Sequence, residues 1–243
     1  MRRSGGLIES LEEGGLGATL GLRAGDRLLS VNGHRVRDLI DVQFYGAEEQ
    51  VALTVERDGR ILSFHSSRGY DQTWGITFAE PVFDGVRTCG NRCSFCFVGG
   101  LPKGLRASLY LRDDDYRLSF LYGNFCTLTN LTETDWRRLE EQRLSPLYVS
   151  VHATEPELRR RLLGGRPIPD IRQQIERLGE LGITVHAQVV VCPGLNDGVA
   201  LDSTLGDLWS RRRAVSSVAL VPVGLSRWQP GSLSPVTPDG ARE

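Results

Sequence analysis

Residues 89–96 read Cys-Gly-Asn-Arg-Cys-Ser-Phe-Cys. Three of the five cysteines in the chain fall here, at the spacing C-x-x-x-C-x-x-C. Thiolates are soft ligands and suit iron–sulfur clusters, zinc and copper. A structural zinc site takes four ligands, usually as two pairs. This stretch has one C-x-x-C and a single extra cysteine four residues before it. Cys126 and Cys192 lie on separate elements, and either could supply a fourth ligand. A [4Fe–4S] cluster held only by Cys89, Cys93 and Cys96 would instead leave one iron without a protein ligand, open for chemistry.

Around the cysteines, strands alternate with helices. Residues 83–89 read as a strand running into the cysteine loop, and 117–122 as a second strand closed by Gly123-Asn124. Further strands are expected at 147–152, 183–191 and 218–223. Helices are expected at 132–143, with a Thr cap before acidic residues, at 156–163, closed by Gly164-Gly165, and at 171–181. The near-continuous apolar end of 183–191 suits a sheet buried on both faces. This alternation argues for a parallel sheet, open or closed as a barrel.

Residues 5–68 have a different pattern. A short strand at 5–11 is followed by Gly14, Gly15 and Gly17. Hairpins at 24–36 and 51–64 turn at Asn32-Gly33 and Asp58-Gly59. Between them, 38–47 has apolar residues at helical spacing. Residues 69–80 connect this part to the rest.

The order strand, Gly-rich loop, A-G-D-R-L-L-S-V-N-G at 24–33, helix, strand, strand resembles a PDZ domain of the bacterial type. Such domains take an extended peptide as an added strand at a sheet edge. Gly5, Gly6, Leu7 and Ile8 stand where the family has its carboxylate loop. The cysteine spacing at the end of a first strand, with Phe95 before the third cysteine, resembles the radical S-adenosylmethionine (radical SAM) enzymes. Four stretches narrow the resemblance: the cysteine motif continued through 101–125, T-L-T-N-L at 127–131, S-V-H-A-T at 150–154 and V-V-V-C-P-G-L-N-D-G at 189–198. Together they resemble an uncharacterised PDZ-plus-radical-SAM family with a C-terminal domain of unknown function. Thr237 and Pro238 open a helix that stops within two turns. The chain is therefore expected to be truncated at its C-terminus.

The resemblance implies an α/β chain with a small β-rich PDZ-like domain at 1–68. A partial (β/α) radical-SAM barrel of the TIM-like kind would follow at 77–243. Cys89, Cys93 and Cys96 would each bind one iron of a [4Fe–4S] cluster. The fourth iron would take the amino and carboxyl groups of S-adenosylmethionine. Reductive cleavage would then give a 5′-deoxyadenosyl radical acting on an unknown substrate. Phe95, Gly123, Asn124, Ser150 and His152 are the expected cofactor-binding residues. Residues at the C-terminal ends of barrel strands face the active site, which places Ser150 and His152 there. Lys103 and Arg106 are candidates for the S-adenosylmethionine carboxylate, and Asp113, Asp114 and Asp115 for a substrate amine or a metal. Expected partners are an electron donor such as flavodoxin or ferredoxin and a peptide or protein ligand of the PDZ-like domain. The competing reading is a PDZ adaptor whose cysteines hold a structural zinc or a closed iron–sulfur site.

Composition sets the outer limits. The 243 residues are 40% hydrophobic and 24% charged, with a net charge of −1. That is ordinary for a globular protein of one or two domains. No basic field draws nucleic acid or an anionic membrane, and neither is an expected partner. No apolar run reaches the roughly 18 residues of a membrane helix. The N-terminus lacks the apolar core of a secretory signal, so a cytoplasmic location is expected.

Overall fold

A computed structural model describes residues 5–69, 71–229, 231 and 233–242. The chain divides into two compact units after Val86. The first contains β1 (Gly6–Leu11), α1 (Leu16–Thr19), β2 (Arg27–Val31), β3 (His34–Arg35), α2 (Leu39–Tyr45), β4 (Gln50–Arg57), β5 (Arg60–Ser67) and β6 (Ile76–Phe78). Its sheet runs β5-β4-β2-β1-β6, with β3 paired to β2. The turns fall where the sequence puts them. Asn32 and Gly33 have φ of 49° and 79°, and Asp58 and Gly59 have 50° and 76°. Two successive positive φ values make the tight turn whose twist matches paired strands. Asp38 starts α2 by accepting a bond from the Asp41 N–H at 3.0 Å. Ile8, Leu28, Val31, Val42, Leu53, Val55 and Phe83 form the core.

The expected connector belongs to this unit. Residues 73–83 run along β1 and across the start of α2, which moves the division from the expected 69–76 to Val86. β6 pairs antiparallel with β1, with Ile8 opposite Phe78 and Leu11 opposite Ile76. Backbone bonds continue on both sides: Glu12 N–H to Gly75 O at 2.8 Å, Ala79 N–H to Leu7 O at 3.0 Å and Leu39 N–H to Pro81 O at 2.9 Å. Phe83 then lies over Gly6. A Cβ at Gly6 would meet the Phe83 ring at 2.5 Å, so only glycine fits.

The second unit contains α3 (Tyr116–Tyr122), α4 (Glu133–Gln142), β7 (Leu147–Ser150), α5 (Pro156–Leu162), α6 (Ile171–Glu180), β8 (Val185–Val191), α7 (Gly198–Ser210) and β9 (Val215–Pro222). β7, β8 and β9 form a parallel sheet in that order. Cys126 adds one parallel bridge to Val149. Among the described residues this sheet stays open at three strands, and no closed barrel forms.

Two expected strands are absent. Residues 83–89 make no strand; Thr88 only bridges Asp113 in antiparallel fashion. Residues 117–122 are helical. Asp115 caps α3 by accepting from the Arg117 N–H, and Gly123 ends it in the left-handed region at φ 75°. Asp before and Gly after are helix punctuation, and they outweigh the β-like look of six mixed residues. α7 has no counterpart among the expected elements. It buries only Thr204 and Leu208 and so carries a weak periodic signal. Thr132 caps α4 in a reciprocal box with Asp135, as its sequence suggests. Among the described residues no helix is long and apolar enough to cross a membrane.

Candidate functional site

The cysteine loop is held by hydrogen bonds to three other segments. Cys89 N–H donates to Arg112 O at 2.7 Å, and Arg92 N–H donates to Leu163 O, at the end of α5, at 3.0 Å. The Gln229 amide donates to Ser94 O at 2.7 Å and Cys96 O at 3.3 Å. Within the loop, Cys96 N–H closes a turn onto Cys93 O. Phe95 is the anchor: it is buried with Ala153, Leu162, Leu163, Cys192 and Val223. Its ring meets the His152 ring edge-on at 4.7 Å.

Cys89, Cys93 and Cys96 are free, half-buried thiols on one open cavity of about 420 Å³. Phe95, Asn124, Ser150 and His152 also line it. Of the eight expected site residues only Gly123 is outside, where it forms the end of α3. Cys126 and Cys192 are buried and do not line the cavity. Burial, with Asp114 and Asp115 adding to it, pushes the Cys126 thiol up to about 12. Burial and Asp197 push Cys192 up to about 11. Neither is presented as a fourth ligand.

Burial also raises Cys93 to about 12, and the charges of Cys89 and Cys96 push the same way. The three thiols thus sense one another. Among the described residues, however, no three His, Cys, Asp or Glu side chains gather as ligands of one metal ion. Three soft thiol donors on one cavity are the kind of ligand an iron–sulfur group takes, and the Asp113 carboxylate lies on the same lining.

His152 ends the strand β7 region in a left-handed conformation, φ 65°. Its Nδ1 accepts the Val190 N–H at 3.2 Å, so the ring proton is on Nε2. Burial first, and then the Arg159 charge, lower it to about 3, which keeps it neutral at ordinary pH. Asn196, inside the 189–198 stretch, holds this corner together. Its amide donates to His152 O at 2.8 Å and Val190 O at 2.9 Å, and its carbonyl accepts the Cys192 N–H at 2.7 Å.

The acidic run 113–115 splits into three roles. Asp115 caps α3 and pairs with the buried Arg117 at 2.8 Å. Asp114 is buried and accepts Thr127 N–H and Oγ1–H at 2.5 and 2.6 Å. Asp113 alone lines the cavity, where Asn124 donates to it at 2.8 Å. Lys103 and Arg106 do not line the cavity; Arg112 does. Arg112 and Thr127 lie within quoted stretches without being named as site residues, and Gln188 is a lining residue outside them. Each reaches the cavity through pairings that the spacing does not reveal, such as the 87–89 against 112–114 contact.

The model of a radical SAM-like domain matches residues 68–218, and the model of a PDZ domain matches residues 7–57. Among solved structures, a radical SAM methyltransferase from Sphaerobacter thermophilus is similar at 17% identity and a TM-score of 0.39. That alignment covers 93% of this chain and 75% of the other. No curated protein matches. With the first model spanning more than half of its length, the chain belongs to the radical SAM-like domain family and carries a PDZ domain on its N-terminal side.

Proposed function

We propose that the second unit is a radical SAM enzyme acting on an unknown substrate, with Cys89, Cys93 and Cys96 holding a [4Fe–4S] cluster. One observation carries the reading: these three thiols line a single cavity while the other two cysteines of the chain do not. Such a cluster supplies, when bound, the electron that cleaves S-adenosylmethionine reductively to a 5′-deoxyadenosyl radical.

The residues of the chain bind, orient and exclude water. Arg112 and Asp113 stand side by side on the cavity and offer one charge of each sign, which suits the amino and carboxyl groups of S-adenosylmethionine. Asn124 fixes the Asp113 carboxylate. Ser150 and neutral His152 are uncharged partners for a ribose. The Phe95 ring closes the floor against water. A donor protein such as flavodoxin or ferredoxin supplies electrons from outside. A peptide ligand of the PDZ unit entering at β1 would have to displace β6.

The test is a count of iron and sulfide after anaerobic reconstitution of the full chain. Four irons and four sulfides per chain are expected by the cluster assignment, and Cys89→Ala, Cys93→Ala and Cys96→Ala should each lose them. Cys126→Ala and Cys192→Ala should load as the parent does. One zinc without sulfide would reject the reading.

A further inference from the structure

Arg159 is the buried cation that the site described so far does not use. It lies on α5, the helix whose end receives the Arg92 N–H of the cysteine loop. Leu158, Leu162 and Leu163 of the same segment pack in one cluster with Cys93 and Phe95. Arg159 is only 1% exposed. Its Nε donates to Val151 O at 3.1 Å, and its Nη2 donates to Thr127 O at 2.9 Å and Ser150 O at 3.4 Å. Those carbonyls belong to strand ends behind the cavity, where Thr127 and Ser150 are lining residues. Its Nη1 finds no partner among the described residues.

Arg117, equally buried, shows the usual arrangement, with Asp115 at 2.8 Å. No carboxylate makes such a pair with Arg159 among the described residues. Three carbonyls satisfy hydrogen bonds but carry no net charge, so no carboxylate neutralises the cation through direct contact. A buried charge held in that way is costly, and a nearby anion lowers the cost. Burial lowers Arg159 to about 10, still a cation at neutral pH, and the charges acting the other way are those of Asp114, Asp170 and Cys93. Asp170 already pairs with Arg172 at 2.7 Å. Asp114 takes its hydrogen bonds from the neutral Thr127 N–H and hydroxyl and acts on Arg159 through charge without a direct bond.

We propose that Arg159 is the buried counter-charge of the cysteine site, offsetting the negative charge of the loaded thiolates and easing entry of the electron. This rests on the cluster assignment above. Three thiolates outweigh the charge of the oxidised cluster core, and one electron from an external donor protein adds a further negative charge. A fixed cation at that distance stabilises the reduced state more than the oxidised one. Arg159 is thus a positioning residue: it touches strand ends and tunes the site through charge.

The test compares full-length wild type, Arg159→Gln and Arg159→Lys after anaerobic loading with iron and sulfide. Metal and sulfide are counted, and the midpoint potential is read by EPR-monitored titration. In the Gln variant the reduction equilibrium should fall by about tenfold or more, which is about 59 mV to lower potential for a one-electron couple. The Lys variant should stay within about threefold of wild type. A Gln variant that loads fully and titrates with wild type overturns the inference. Should the Gln variant not fold, the Lys variant decides. It keeps the charge but cannot reproduce all three carbonyl bonds, so a wild-type potential supports the inference and a tenfold fall overturns it. A wild type that takes up no iron and sulfide defeats the cluster assignment instead, a different readout from either potential result.

Discussion

In the PDZ unit, the edge of β1 that could receive a peptide is bonded to β6 of the same chain. In the second unit, the walls of the cysteine cavity send their hydrogen bonds backwards into the protein. Asn196 and Val190 hold His152, Thr127 holds Asp114, and α5 holds the loop. The first arrangement satisfies a sheet edge and lowers its capacity to pair with another chain. The second keeps side chains fixed while their working faces remain on the cavity, as a preorganised site needs. The same sequence therefore covers a strand edge in one unit and leaves a cavity open in the other.

The most forceful way to break the contrast is to loosen the closed edge. Phe83→Ala removes the ring packed over Gly6 and against Phe78, whose ring centre is 5.0 Å away. A buried Phe→Ala change costs about 3–5 kcal/mol. Chemical denaturation should show that loss, together with faster hydrogen exchange at the Ala79 and Glu12 amides. Unchanged exchange there would mean that β6 does not depend on its phenylalanine anchor.

An effect smaller at each pH unit comes from the buried histidine of the cavity. His152 is at about 3 when folded, against an ordinary 6.5. Between those values the unfolded chain binds a proton that the folded chain refuses. Stability is therefore greatest above about pH 6.5 and falls on acidification, by about 1.4 kcal/mol per pH unit for one proton, until pH nears 3. His152→Asn, which tolerates the left-handed backbone, should flatten that part of the stability–pH curve. An equal slope in both proteins would contradict a neutral, buried His152.

The smallest predicted effect is at α4. Burial tends to raise Asp135, but hydrogen bonds from Arg87 and Thr132 outweigh it and hold the group at about 2. The Arg87 contacts are 2.6 and 2.7 Å. This stabilisation is present above about pH 4 and is lost as pH falls toward 2. With Arg87 partly exposed, about 1–2 kcal/mol is expected. Asp135→Asn should cost that much at pH 7 and almost nothing near pH 2 in urea titrations.

Much of this was legible from local chemistry. Asn32-Gly33 and Asp58-Gly59 require their turns, Thr132 and Asp135 announce a helix start, and 147–152 and 183–191 carry buried-strand patterns. The grouping of the three cysteines is visible in their spacing, and Phe95 stands out through the resemblance. What escaped depends on long-range pairing. A six-residue segment such as 117–122 does not reveal its period by itself, and its caps Asp115 and Gly123 were the better signal. β6 is three residues long and has meaning only beside β1. Arg159 stands in a run of three arginines at 159–161, and nothing local distinguishes the one that turns inward. Asn196 and Gln229 work through bonds to residues 44 and more than 130 positions away.

The most direct measurement is 5′-deoxyadenosine formation. The full chain would be reconstituted with iron and sulfide without oxygen, reduced, and incubated with S-adenosylmethionine. The account predicts 5′-deoxyadenosine from wild type and none from Cys93→Ala. A fully loaded, reducible cluster that binds S-adenosylmethionine but yields no 5′-deoxyadenosine would contradict it.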